Sequence, residues 1–436
     1  MIQRRWSLLS VAVALSWAAA FAQAPAPPTL QKLSLKQAET IAISNHPQIQ
    51  AAAFIAAAAK EVNTEVRSAY FPQVYGAATG TDTNPAGSRI AAGELTSPHA
   101  YQKFAVGTVA SQLITDFGRT HELSRSAGLR TSAEQAGVVV TRADVLLAVD
   151  QAYFRTLKAQ AVLRVAQQTV QERQTVTDRV NALAQAKLKS GLDVSFAEVS
   201  LGQARLLLVQ AQNEVKAAYA ELTRALGYSN EREYELTEEP LPPVAPPEVL
   251  PLVAEAFRER PELVRQRFLV QSAHAFALAE RDLNFPTISA LGVAGLVPEG
   301  DPSQFRSSYA AGGVNVNIPV FNGKLFTARY AEANLRTQAE DQRLRDLENV
   351  VAREVRVAWL DVITAYQRLD LTTQILGEAK LALDLADARY KLGLSSIVEL
   401  EQAQLNETQA AIDQASAQYD CSARTAALNY AIGVLR

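Results

Sequence analysis

One cysteine, one methionine and four histidines in 436 residues leave little for metal or thiol chemistry. A lone Cys421 builds neither a disulfide framework nor a multi-cysteine metal site. On an alanine-rich stretch it reads as a buried small hydrophobe. His46, His99, His121 and His274 are scattered without ligand spacing. Positive charge is not in excess. Lys and Arg number 42 against 45 Asp and Glu, a net charge of −3, so no basic surface is on offer to nucleic acid. Phosphate loops, nucleophile elbows and paired catalytic acids with a supporting constellation are all missing. The chain does not read as an enzyme and implies no cofactor. Long apolar runs are missing too. Beyond the N-terminal region no stretch reaches ~18 consecutive apolar residues, so no helix is expected to cross a membrane.

What is present begins with an export signal over residues 1–22. Arg4 and Arg5 precede an apolar stretch from Trp6 to Trp17, and Ala20-Phe21-Ala22 fits a small-x-small cleavage site. No cysteine near the cut offers a lipid anchor.

Proline then divides the chain. None occurs between Pro98 and Pro240, and none after Pro319. Both proline-free segments are rich in Ala, Leu, Gln, Glu, Lys and Arg, which favour helix. The stretch 236–251 is a proline-rich, extended linker. It separates two copies of one unit, residues 34–235 and 252–435. Pro47 and Pro72 recur as Pro261 and Pro286, 214 residues later. Gly118 matches Gly323 at an offset of 205. From there an offset of 206 holds without gaps: Ala152-Tyr153 with Ala358-Trp359, Ala197 with Ala403, Gln203-Ala204 with Gln409-Ala410, Leu226-Gly227 with Ile432-Gly433. A constant register of this length indicates duplication.

Each unit reads helix, strand, loop, strand, long helix, turn, long helix. The opening helix breaks at His46-Pro47 or Arg260-Pro261 and ends at Pro72 or Pro286. Strands are expected at 73–82, 103–114, 287–296 and 308–318, and helical hairpins at about 119–226 and 324–433. The last strand is clearest: Val314, Val316 and Ile318 alternate with Asn315 and Asn317. In the second hairpin Trp359, Val362, Tyr366, Leu369, Thr373 and Leu376 step by three and four, a coiled-coil spacing. Leu400, Ala403, Ala410, Ala417 and Cys421 form a small-residue seam opposite. Strands of ~10 residues suit a membrane barrel, yet taken alone they fit a soluble sheet equally well. Four strands cannot close a barrel, and an isolated hairpin ~100 Å long leaves its apolar surface wet. Three chains would supply twelve strands and bury the hairpins side by side.

This pattern resembles the TolC-like outer-membrane efflux protein family, over about residues 34–435. The resemblance is carried by QLITDFGRT (112–120), NIPVFNGKLFTARYAEAN (317–334), AKLKSGLDV (186–194) and YKLGLSSIVEL (390–400), and more weakly by Ala38, Ala42 and Pro47. It implies a mixed α and β fold: a homotrimer whose twelve-stranded transmembrane β-barrel is continued by a periplasmic α-barrel. It implies an outer-membrane location among lipid, and work with a periplasmic membrane-fusion adaptor and an inner-membrane transporter of RND, ABC or MFS type. The role is the exit duct of tripartite efflux or of type I protein secretion. A soluble periplasmic coiled-coil or adaptor protein is the remaining reading, disfavoured because an adaptor would carry one hairpin, not two preceded by strands.

Candidate functional residues fall at the two hairpin turns. The resemblance places an acid near the narrow periplasmic end, here Asp193 and Glu399, with two readings open. The acids form a charged gate, six carboxylates in a trimer that raise one another's pKa, or each caps its helix. A second acidic ring is not expected, because its position holds Gln402. The first turn has Lys187 where the second has Gly393, with Gly191 four residues on, so the two turns are expected to differ. Gly191, Leu192, Gly393, Leu394 and Ser395 read either as turn chemistry, glycine taking positive φ, or as the docking tip for an adaptor. Tyr390 matches a tyrosine that, by resemblance, holds the tube closed, or is an ordinary interhelical aromatic.

Overall fold

A computed structural model describes residues 31–82, 101–230, 232–242, 247–300 and 303–435. The export signal and the first inter-strand loop, 83–100, lie outside the described residues.

The chain runs β1 (Lys32–Leu33), α1 (Leu35–Asn45), α2 (Pro47–Arg67), β2 (Gln73–Thr81), β3 (Lys103–Thr115), α3 (Arg119–Gln185) and α4 (Gly191–Ala225). The second half repeats this with β4 (Glu235–Leu236), α5 (Leu250–Glu259), α6 (Pro261–Arg281), β5 (Thr287–Gly300), β6 (Ser308–Asn317), α7 (Leu325–Lys391) and α8 (Ile397–Ile432). Each entry helix breaks where expected, Pro47 and Pro261 opening the second segment. The break is followed by an earlier stop than the sequence suggests. Helix α2 ends at Arg67 and α6 at Arg281, and a single 3₁₀ turn covers the residues before Pro72 and Pro286. A residue before proline is pushed out of the α region, so the helix tightens and stops ahead of it. Strand β5 runs four residues beyond expectation, to Gly300.

Strands pair antiparallel in the order β2-β3-β5-β6, so β2 and β6 are both free edges. In cross-strand register one face carries Val74, Ala78, Val106, Ala110, Ile288, Leu296, Val314 and Val316. The opposite face is mixed: it carries Gln73, Thr79, Lys103, Ser111, Ser289, Asn315 and Asn317, together with Tyr75, Val109, Leu113, Leu291 and Val293. A mainly apolar face, a face bearing most of the polar side chains and two open edges describe a barrel segment, because a sheet left open in lipid strands its edge N–H and C=O groups.

The helices form one layer. Helix α3 packs on α2 and α6 along its first half and on α4 and α8 along its second, and α7 packs on α6 and then α8. Helices α3 and α7 are both 67 residues, roughly 100 Å at ~1.5 Å per residue. They are buried very differently: 21 residues of α3 against 8 of α7. Hence α3 is central and α7 is an edge. Edge helix α7 exposes Leu360, Leu371, Ile375, Leu381 and Leu385, and edge helix α4 exposes Val199, Leu206 and Val209. Like the sheet, the helical layer ends in apolar faces without a partner among the described residues. Among the described residues no helix is long and apolar enough to cross a membrane.

Internal register differs from expectation at the strand-to-helix junctions. Left-handed backbone falls on Phe117 and Gly118 in the first copy and on Gly323 and Lys324 in the second. Helix α3 starts at Arg119 and α7 at Leu325. The offset of 206 therefore extends through the junction, and Gly118 is equivalent to Lys324, not to Gly323. Asp116 secures the first junction by accepting from the Thr120 N–H at 2.7 Å and the Gly118 N–H at 3.3 Å. In the second hairpin Val362 is buried as expected, but Thr372, not Thr373, continues the seam. A straight helix turns every 3.6 residues, so a 3.5-residue repeat drifts off the contact within a few turns. Cys421 is fully buried.

The main core lies where β1 and β4 pair in parallel across the hairpin roots. Tyr153, 0% exposed, has its hydroxyl within 2.6 Å of Thr237 O and 3.0 Å of Leu33 O, so it ties the N-terminal segment and the linker to α3. One turn earlier, buried Asp150 meets Glu39 of α1. Burial first, and then the Glu39 charge, push the Asp150 carboxyl from 3.8 to about 8. A carboxyl raised on folding contributes stability that is full below its unfolded pKa and is lost as pH rises through the folded one. Thermal stability of the detergent-solubilised protein is thus expected to fall between about pH 4 and pH 8 and to level off above that. Asp150→Asn, which cannot ionise, should flatten that fall. An equally steep fall in the variant would assign the pH dependence to other groups.

Candidate functional site at the hairpin turns

Both turns are built alike, contrary to the sequence expectation. Helix α3 closes with Lys187 N–H donating to Ala184 O and Leu188 N–H to Leu183 O, each at 2.9 Å. Helix α7 closes with Gly393 N–H donating to Tyr390 O at 3.1 Å and Leu394 N–H to Arg389 O at 2.8 Å. This is the same C-terminal motif twice, and it needs one left-handed residue. Gly393 supplies it at φ 73°, and Lys187 at φ 61°. Lysine accepts a conformation that costs an L-residue roughly 1–2 kcal/mol. Gly191 is not the left-handed residue of its turn. It is the first residue of α4, with open space where a side chain would stand.

Ser190 and Ser396 cap the two returning helices. Ser395, singled out in the sequence, is the residue before the cap, half-buried, its hydroxyl without a partner among the described residues. The acids behind the caps diverge. Asp193 completes a capping box, accepting from the Ser190 N–H at 2.9 Å while its own N–H donates to Ser190 Oγ at 3.3 Å. The Ser190 backbone N–H, and next its hydroxyl, hold the Asp193 carboxyl below the usual range within the single chain. Glu399 makes no such box. Its N–H donates to Ser396 Oγ at 3.4 Å, and its carboxylate, 45% exposed, pairs with Arg389 Nε at 3.0 Å.

Tyr390 brings the two tips together. Only 2% exposed, it packs with Val176 and Val180 of α3, Ala197 of α4, and Ile397 and Leu400 of α8. Lys189 of the first turn lies over its ring, Nζ 4.1 Å from the centroid. Its hydroxyl has no partner among the described residues. Arg179 of the first hairpin reaches Asp387 of the second at 3.0 Å.

Beyond this small core the tip is apolar and open. Leu392 is 74% exposed, Leu394 68% and Leu192 65%. Sequence reading missed Leu188, which is equally exposed and stands 206 residues before Leu394 in the equivalent position. The repeat offset already pairs the two.

Comparison with known proteins agrees with this geometry. The family described as Outer membrane efflux protein matches residues 40–228 and 252–434. Protein CyaE of Bordetella pertussis is 26% identical over 403 residues, 90% of this chain and 81% of that one. Outer membrane protein TolC of Salmonella enteritidis is 23% identical over 422 residues, 92% and 83% respectively. In three dimensions a membrane protein from Pseudomonas aeruginosa superposes with a TM-score of 0.80 at 21% identity, covering 92% of this chain and 93% of that one. The outer membrane protein VceC of Vibrio cholerae gives 0.76 at 17% identity, with 92% and 96% covered. Such proteins are passive channels, not enzymes. With the match extending through both halves of the chain and the same fold in its neighbours, the protein belongs to the outer membrane efflux protein family.

Proposed function

We propose that three copies of the chain form the outer-membrane exit duct of a tripartite efflux system, fed by a periplasmic adaptor and an inner-membrane transporter. The observation that carries this is the coincidence of open edges. Strands β2 and β6 and helices α4 and α7 all lie at the ends of their layers, and among the described residues none has a neighbour on its outer side. A head-to-tail contact that joins the β6 and α7 side of one chain to the β2 and α4 side of the next satisfies both layers at once, and such contacts close into rings. Three chains give twelve strands, comfortably above the ~8 that the smallest membrane barrels use. Extraction from the outer-membrane fraction followed by mass measurement in detergent tests this. A trimer is expected; a monomer, or recovery in the soluble periplasm, would end the proposal.

The tip is the gate and the docking end in this reading. Tyr390, shared by both hairpins, with its hydroxyl unpaired and Lys189 against its ring, is placed to hold the tips together. Asp193 and Glu399 supply acid at the narrow end while also serving local structure. Their replacement separates the two roles. Asp193→Asn with Glu399→Gln is expected to weaken cation preference in planar-bilayer recordings, the second change more than the first because it leaves Arg389 unpaired. Asparagine at 193 can still accept from the Ser190 N–H, so the local cost should be only the lost charge at the helix N-terminus, about 0.3–1 kcal/mol. Unchanged ion selectivity in the double variant would reduce both acids to helix capping and ion pairing.

A further inference from the structure

The sheet contains a row that the gate and the docking tip do not use. Tyr309 on β6 stands opposite Gly295 on β5, Gly295 opposite Gly107 on β3, and Gly107 opposite Ala77 on β2. One large aromatic shares its row with the smallest residues available. A Cβ built on Gly295 would lie 2.5 Å from Tyr309 Oη and 2.6 Å from its Cζ. A Cβ built on Gly107 would also lie 2.5 Å from Tyr309 Oη. Strands sit ~4.8 Å apart, so Gly107 is about 10 Å from the backbone of Tyr309. A tyrosine standing upright from the sheet could not reach it. The ring must lie along the wall, over Gly295, with its hydroxyl against Gly107.

Tyr309 is on the face that carries most of the sheet's polar side chains. Alternation along β6 puts it with Asn315 and Asn317 and opposite Val314 and Val316. In a membrane barrel that face lines the lumen. An upright tyrosine there would project into the passage from each of three chains. We infer that the Gly295 and Gly107 pair lays the Tyr309 ring flat against the lumen wall and so sets the bore of the outer part of the channel. The inference rests on the barrel reading above and adds to it a determinant of what passes. Aromatic side chains and backbone glycines act as one device: neither sequence position alone has this effect, because the bore depends on where the ring is held.

Single-channel conductance in planar bilayers provides the test, with the wild type showing first that a channel forms. Silence from well-folded wild-type protein would fail the barrel reading itself. In a conducting channel, Tyr309→Ser alone should leave conductance close to wild type, because a flat ring takes little of the bore. A clear rise would mean that the ring stands upright and would overturn the inference. Gly107→Ala should lower conductance by lifting the ring, and adding Tyr309→Ser should restore it. The added methyl also approaches Ala294 O at 2.7 Å, so it strains the strand itself. A fall that Tyr309→Ser does not relieve belongs to that strain and counts against the ring. Lumenal placement has its own readout. Cys421 is buried and is the sole native cysteine, so Tyr309→Cys can be labelled selectively with a charged, water-soluble thiol reagent. A drop in conductance on labelling is expected; failure to label would place the side chain toward lipid, labelling without any change would place it clear of the bore, and either would overturn the inference.

Discussion

Leu394→Asp is expected to abolish efflux while trimers still assemble and reach the outer membrane. Leu394 is 68% exposed, so its own fold gains little from it and loses little when it is replaced. The equivalent Leu188 is 70% exposed, and Leu192 and Leu392 are close by in their turns. A cluster of apolar side chains held in water at the end of a ~100 Å helical projection is costly unless something covers it. The proposed cover is the adaptor. Burying one leucine is worth about 1.5–3 kcal/mol. Repeated in three chains the change removes roughly 5–9 kcal/mol from a contact that gains its strength by multivalency. Leu188→Asp should behave in the same way, and the double variant should be no more severe once efflux is lost. Drug-susceptibility assays, with trimer detection and membrane fractionation on the same cells, separate docking from folding. Normal efflux by both single variants at normal trimer levels would remove the leucines as contacts.

Much of this architecture was legible in the sequence, for identifiable physical reasons. Proline is a local rule: Pro47 and Pro261 mark the helix breaks because the ring dictates φ wherever it stands. Alternation in Val314 to Asn317 is equally local. The turns misled because the sequence reading treated left-handed backbone as glycine's property. Lys187 takes that conformation, while Gly191, which looked suited to it, begins a helix. Matching identical letters also set Gly118 on Gly323, one residue out of the structural register, because Phe117 and Lys324 carry left-handed backbone without glycine. Other features exist only once neighbours are placed. The central position of α3, the edge position of α7, and the cover of Gly107 by a ring two strands away cannot be read from composition. The Asp150 and Glu39 pair joins residues more than 100 positions apart, and neither is unusual in its local sequence. At the candidate site, the residues were largely named and their division of labour was not: Asp193 completes a box, Glu399 holds Arg389, and Tyr390 bridges both hairpins.

Gly433→Ala and Gly227→Ala are expected to be the most damaging single methyl additions at a glycine in the helical part. Both glycines follow a returning helix in left-handed backbone, Gly227 at φ 84° and Gly433 at φ 82°. Both then press against the break of an entry helix. A Cβ on Gly227 would stand 2.9 Å from His46 Cα, and one on Gly433 would stand 2.9 Å from both Arg260 N and Glu259 C. Those atoms are backbone and cannot swing aside. The first cost is the left-handed conformation, roughly 1–2 kcal/mol for an L-residue. The second is overpacking, about 1–3 kcal/mol. Together they give a loss of about 2–5 kcal/mol at each site, a large part of a typical domain's margin. Gly191→Ala is the internal control. Gly191 is the first residue of α4, with open space around it, so alanine there should stabilise by about 0.4–1 kcal/mol through the unfolded chain. Chemical or thermal unfolding of the three variants orders them. The same contact in both copies means that Gly227→Ala and Gly433→Ala should fall by similar amounts. Unfolding of Gly433→Ala at the same midpoint as Gly191→Ala would show that the entry helix yields, and that its break is not held by the glycine behind it.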